Sequence, residues 1–228
     1  METFVMNGDY RPERRPLVAR NWSASHTAAS WLAASGVPPN AISVAGFFAS
    51  LGAGAALFLT REAEHPALLF VVACLLILVR GMCNMLDGMV AVSTGRASRC
   101  GELFNEVPDR LSDSVTFVGA GYAVGGLPEL GYIAAVAAVF TAYVRVQGCA
   151  LGTRADFGGP MAKVNRMVLI VAAALYTAFA PAAWQPSIVL VSNAGALALA
   201  LMIIIVGCVI TSARRLRRCA QTLEGEGS

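Results

Sequence analysis

The chain has 228 residues, of which 57% are hydrophobic and only 14% charged, and its mean hydropathy is +0.63. A soluble domain carries about 25% charged residues, so this composition excludes an ordinary soluble enzyme and places the chain in lipid. The net charge of +3 is too modest to point to nucleic acid as a partner.

Residues 1–35 lack the apolar core of a signal peptide and mix their first hydrophobic material with Arg11, Arg14, Arg15 and Arg20, so no cleavage is expected. The segment from Asn21 to Ser35 sets Trp22, Trp31, Leu32 and several alanines among small polar residues. That suits a short helix in the headgroup layer, with a plain cytoplasmic tail as the alternative. Val37-Pro38-Pro39-Asn40 then opens the first span, with prolines ahead of the helix and Asn40 near its cap. A helix rising about 1.5 Å per residue needs roughly 20 apolar residues to cross the hydrocarbon. Six stretches reach that length, near residues 38–60, 66–92, 108–125, 128–151, 164–184 and 186–212. The expected fold is all-α: an integral membrane bundle of about six helices with an N-terminal interfacial helix.

The basic residues alternate by side. Arg11 to Arg20 precede span one; Arg96, Arg99 and Arg110 lie between spans two and three; Arg154, Lys163 and Arg166 between four and five; Arg214, Arg215, Arg217 and Arg218 after six. The opposite connections are near neutral, so the positive-inside rule puts both termini in the cytoplasm of a cell (inner) membrane protein. Cys74, Cys83, Cys149 and Cys208 fall in spans and Cys100 and Cys219 beside basic residues, which argues for thiols rather than disulfides, and no metal-ligand spacing links them. With no repeat or linker, one domain over 1–228 is expected: 1–37 cytoplasmic or interfacial, 38–212 the bundle, 213–228 a cytoplasmic tail. Glycines such as Gly46, Gly54, Gly119 and Gly121 suit close helix packing.

Carboxylates and amides gather where a membrane protein least tolerates them, in Asn84-Met-Leu-Asp87-Gly88-Met-Val-Ala91 and Gly101-Glu-Leu-Phe-Asn105-Glu-Val-Pro-Asp109, with Asp113 beyond. Asn84, Asp87 and Ala91 share one helix face; Asn105, Asp109 and Asp113, spaced by four, share another. Gly88 and Gly101 remove side chains where a base or diphosphate would approach backbone. Two oxygen-rich faces around a slot suit a magnesium-bound diphosphate, because hard cations take carboxylate and phosphate oxygens together.

The order and spacing resemble the signature of the CDP-alcohol phosphotransferase family, D-x2-D-G-x2-A-R-x8-G-x3-D-x3-D. Asn84 and Asn105 stand at its first and third aspartates and Val92 at its arginine. Pro39-Asn40-x-x-Ser43 also resembles the family's Pro-Asn-x-x-Thr. The resemblance implies a metal site of Asp87, Asp109, Asn84 and Asn105 holding Mg2+ or Mn2+, with Asp109, aided by Asp113, as the catalytic group that takes the acceptor's proton. It implies CDP binding by Gly88, Ala91, Gly101, Asn40 and Arg99, and acceptor binding by Arg145, Lys163 and Arg166. An asparagine offers a metal one neutral oxygen, so one ion is as consistent with the sequence as two. Glu102, Glu106 and Asp113 are candidates to compensate, while Glu102 and Glu106 also suit ordinary acids near a helix N-terminus. Arg96 and Arg99 suit either a donor phosphate or topology.

The implied function is transfer of a phosphatidyl group from CDP-diacylglycerol to a small alcohol, expected to be phosphorylated, with release of CMP. A homodimer in the bilayer follows from the same resemblance. Alternatives are a CDP-choline-like donor of the opposite polarity, a non-catalytic CDP-lipid binder, and a cation or proton transporter built on the intramembrane carboxylates.

Overall fold

The computed structural model describes residues 18–96, 98–186 and 194–225, and among these no strand occurs. A 3-10 turn leads into α1 (Ser23–Ala34), followed by α2 (Pro39–Leu59), α3 (Pro66–Ser93), α4 (Arg99–Tyr122), α5 (Pro128–Ala150), α6 (Lys163–Phe179) and α7 (Ala196–Gly225). Pro39, Pro66 and Pro128 each open a helix. There the missing N–H would have no helical partner in any case, and the fixed φ favours the first turn. α4 starts differently: Ser98 caps it, its hydroxyl accepting from the Gly101 N–H at 3.0 Å.

The long helices close a ring. α2 packs on α3 and α4, α4 on α5, α5 on α7, α7 on α6 and α6 on α3, while α1 lies against α3. Leu57, Phe70, Phe117, Ile170, Leu201 and Ile204 fill the middle of the ring. A second cluster, with Ala29, Ile42, Met85, Met89 and Val90, fixes α1 to the bundle. The outer face exposes Phe48, Leu68, Leu75, Val136, Val168 and Val209, apolar surface that only lipid satisfies. On α1, Trp22 and Trp31 stay 60% and 67% exposed, as side chains directed to the headgroup layer would be.

Six long helices stand where six spans were expected, and the chain is a multi-pass membrane protein. By length and composition α2, α3, α5 and α7 suffice to cross a membrane. α4 does not, because its first half holds the acids and amides of the signature, and α6 has only 17 residues. Three boundaries also move. α4 begins at Arg99 rather than 108, because the polar stretch is itself helical. α6 stops at Phe179, just before Pro181. α7 is helical from Ala196 and runs on to Gly225 through Arg214, Arg215, Arg217 and Arg218, where a tail was expected. Cys74, Cys83, Cys149, Cys208 and Cys219 form no disulfide.

α2 and α4 meet backbone to backbone. A Cβ on Gly119 would stand 2.5 Å from the carbonyl oxygen and 2.8 Å from the Cα of Gly54. This contact brings the serines of α2 against the polar halves of α3 and α4. Gly119→Ala is therefore expected to cost about 2–3 kcal/mol, read as a lowered unfolding midpoint in detergent. Gly81→Ala, where nothing lies within 4 Å, should leave the midpoint in place.

Candidate functional site

The polar halves of α3 and α4 face each other and are joined through side chains. Asp87 on α3 is buried, and its Oδ2 accepts from the Ser43 hydroxyl of α2 at 2.6 Å. Its Oδ1 has no hydrogen-bond partner. On α4, Asp109 Oδ2 accepts from the Asn84 amide at 3.1 Å and lies 2.6 Å from Lys163 Nζ and 3.5 Å from Arg110 Nη2. Its Oδ1 is paired with Arg80 of α3. Arg80 Nε donates to Ser112 Oγ at 3.3 Å, and Ser50 of α2 donates to the same oxygen at 2.8 Å.

One turn along α4, Asp113 Oδ2 pairs with Arg166 Nη2 at 2.9 Å, and Arg166 Nη1 donates to the Met161 carbonyl at 3.0 Å. Both partners are buried, so each charge depends on the other. One turn back, Glu106 pairs with Arg145 of α5 at 2.8 Å, and the Arg145 guanidinium lies 5.1 Å from the Phe157 ring centroid. Arg145 also lines a cavity of about 110 Å³ with Arg154, Asp156, Arg215 and Arg218. Arg218 pairs with Asp156 at 2.8 Å, and Arg215 donates to the carbonyls of Gly158 and Thr141.

Asn84 is thus joined to Asp109, Asp87 to Ser43 and Asp113 to Arg166, and each cation expected to bind the acceptor rests on an acid of α4: Lys163 on Asp109, Arg166 on Asp113, Arg145 on Glu106. Asn105 carries a buried Oδ1 without a partner. Gly88 has open space where a Cβ would stand, Gly101 serves the Ser98 cap, Ala91 is half-buried and Asn40 is exposed in the first turn of α2. The side chains of Arg99 and Glu102 lie outside the described residues. Sequence reasoning missed Arg80, Ser112 and the contribution of Arg215 and Arg218 to the cavity. The signal for Arg80 was present: a lone guanidinium in an apolar run, one turn before Asn84.

A family model described as CDP-alcohol phosphatidyltransferase matches residues 37–213. The chain belongs to the CDP-alcohol phosphatidyltransferase family. It is 29% identical over 187 residues to the phosphatidylinositol phosphate synthase of Mycobacterium marinum, covering 79% of this chain and 73% of that one. To the archaetidylinositol phosphate synthase of Pyrococcus horikoshii it is 27% identical over 150 residues, covering 64% and 74%. Its fold resembles that of the Mycobacterium tuberculosis phosphatidylinositol phosphate synthase with CDP-DAG bound, with a TM-score of 0.68, 22% identity, and 86% and 92% of the two chains covered. A second structure of that synthase, in complex with manganese and citrate, matches with the same TM-score. The family match decides for a membrane transferase of phospholipid synthesis over a cation or proton transporter.

The family uses divalent metal ions, and Asn84 and Asn105 offer neutral oxygens where the signature has aspartates. Among the described residues no three His, Cys, Asp or Glu side chains gather into a metal-holding group. Asp87 Oδ1 and Asn105 Oδ1 are signature oxygens without a hydrogen-bond partner, the kind of donor a hard cation takes. Asp109 is engaged by Arg80, Lys163 and Asn84.

Removing one member of the Asp113–Arg166 pair leaves a buried charge alone. Asp113→Leu and Arg166→Met are each expected to destabilise the fold by about 3–5 kcal/mol, and the double variant to regain most of it. Thermal unfolding of the four proteins in detergent measures this; two fully additive losses would show that the pair is not coupled.

Proposed function

We propose that the chain transfers a phosphatidyl group from CDP-diacylglycerol to a phosphate-bearing alcohol and releases CMP. The observation that carries this reading is the contact of Lys163 with Asp109 at 2.6 Å. It joins the cation cluster of α5 and α6 to the fourth position of the signature. An acceptor whose phosphate is held by Lys163, Arg166 and Arg145 would bring its hydroxyl to the Asp109 carboxylate. The relatives' names put an inositol phosphate in their products, the same chemical class.

The donor's cytidine and diphosphate would lie against Gly88, Ala91 and Gly101, with Asn40 and Arg99 as further contacts expected from the family signature. A divalent ion, which Asp87, Asn105 and Asn84 would hold, would polarise the diphosphate. Asp109 accepts the hydroxyl proton as the acceptor oxygen bonds to the phosphorus that bears diacylglycerol. The bond from that phosphorus to the CMP oxygen breaks, and CMP leaves with the electron pair. Asp113 orients Arg166 toward the acceptor. The reading puts the site at the cytoplasmic face of the cell (inner) membrane, both termini cytoplasmic, in a homodimer.

A second reading has one observation in its favour. Both oxygens of Asp109 are engaged, which suits a relative that binds CDP-lipid without turning it over.

Release of labelled CMP from CDP-diacylglycerol in proteoliposomes, screened over acceptors, separates the two. Transfer predicts turnover with phosphorylated polyols, lost at least about 100-fold in Asp87→Asn without loss of membrane insertion. Lys163→Met is expected to raise the acceptor KM far more than the donor KM. Donor binding with no CMP release from any acceptor would establish the second reading. Turnover with serine or free inositol but not with phosphorylated alcohols would overturn the acceptor assignment.

A further inference from the structure

Arg80 lies outside the signature, yet the structure is built around it. Its guanidinium is buried at membrane depth in α3, one turn before Asn84 and on the same face as Asp87. Space for it comes from α2: a Cβ on Gly46 would stand 3.1 Å from Arg80 Nη1 and 3.3 Å from its Cδ. The Ser112 hydroxyl, itself held by Ser50, accepts from Nε. The other end pairs with Asp109 Oδ1, while Lys163 takes Oδ2. An arginine stays protonated at any physiological pH, so this charge is permanent.

The charges around Asp109 then balance without added ions. Asp87 and Asp109 carry two negative charges and Arg80 and Lys163 two positive ones, while Arg110, 3.5 Å from Asp109, is also paired with Glu106 at 3.3 Å. Four aspartates in the same positions, without Arg80 and Lys163, would need two dications to reach the same balance. Asn84 completes the exchange, because its amide donates to Asp109 where an aspartate would repel it.

We infer that Arg80, with Lys163 opposite, is a built-in counter-charge standing where a second divalent ion would otherwise bind Asp109. It is a positioning residue that fixes the Asp109 carboxylate and limits the site to one ion. This rests on the phosphatidyl-transfer reading for its purpose, but its test does not.

The experiment is a Mn2+ titration of the full chain in lipid nanodiscs, with bound ion counted by electron paramagnetic resonance, with and without CDP-diacylglycerol. Wild type is expected to hold one ion at saturation. Arg80→Met should admit a second ion, or tighten Mn2+ binding by about tenfold or more, and Arg80→Lys should return the wild-type count. Arg80→Met/Asp109→Asn, which removes both charges, should also hold one ion. Two ions in wild type would overturn the inference, as would a folded Arg80→Met with the wild-type count and affinity. Should Arg80→Met fail to fold, Lys163→Met carries the same expectation and the same refutation. An acceptor screen without CMP release would sink the transfer reading and leave this result standing; two ions in an active wild type would sink this inference alone.

Discussion

The carboxylate of Asp109 is 5% exposed inside a lipid-embedded bundle, where an unpaired charge would be too costly to keep. It is paired: α3 supplies Arg80 and Asn84 and α6 supplies Lys163, so three helices converge on one side chain. α4 and α6 are not neighbours in the ring, yet two ion pairs, Asp109–Lys163 and Asp113–Arg166, span between them. These pairs tie the signature to the cation cluster. The glycine contact between α2 and α4 and the serines on α2 act at the same junction from the other side.

The two asparagines make sense in this setting. With cations fixed in place, a further pair of carboxylates would no longer be matched by the charges around them. An asparagine at 84 can give a proton to Asp109, and one at 105 leaves a neutral oxygen buried without a partner. The departures from the family signature and the Arg80–Asp109 pair therefore describe one electrostatic arrangement. Asp87 remains the acid with an unengaged oxygen, which is why donor and metal binding are assigned to it.

Much of this was legible in the sequence. Proline-led apolar runs marked α2, α3 and α5 to within a residue or two, because helix starts and lipid length are local properties. The signature spacing showed the family, and it pointed to Asp87 and Asp109, which the fold buries. The start of α4 at Arg99 was harder, since its acids and amides lower the hydropathy while keeping good helix propensity. The extension of α7 to Gly225 was hidden for the same reason. Arg80 was submerged in an apolar run whose length alone announced a span. Which acid each cation meets, as Arg166 meets Asp113 across 53 positions, depends on ring closure and is not written in any local pattern.

The central claim is that this site balances its own carboxylates with fixed cations and keeps room for a single dication at Asp87 and Asn105. Anomalous scattering from crystals of the CDP-diacylglycerol complex soaked in manganese tests it most directly. One strong peak beside Asp87, with Arg80 and Lys163 still on Asp109, is the predicted result. Two fully occupied peaks, one of them bound by Asp109, would contradict it.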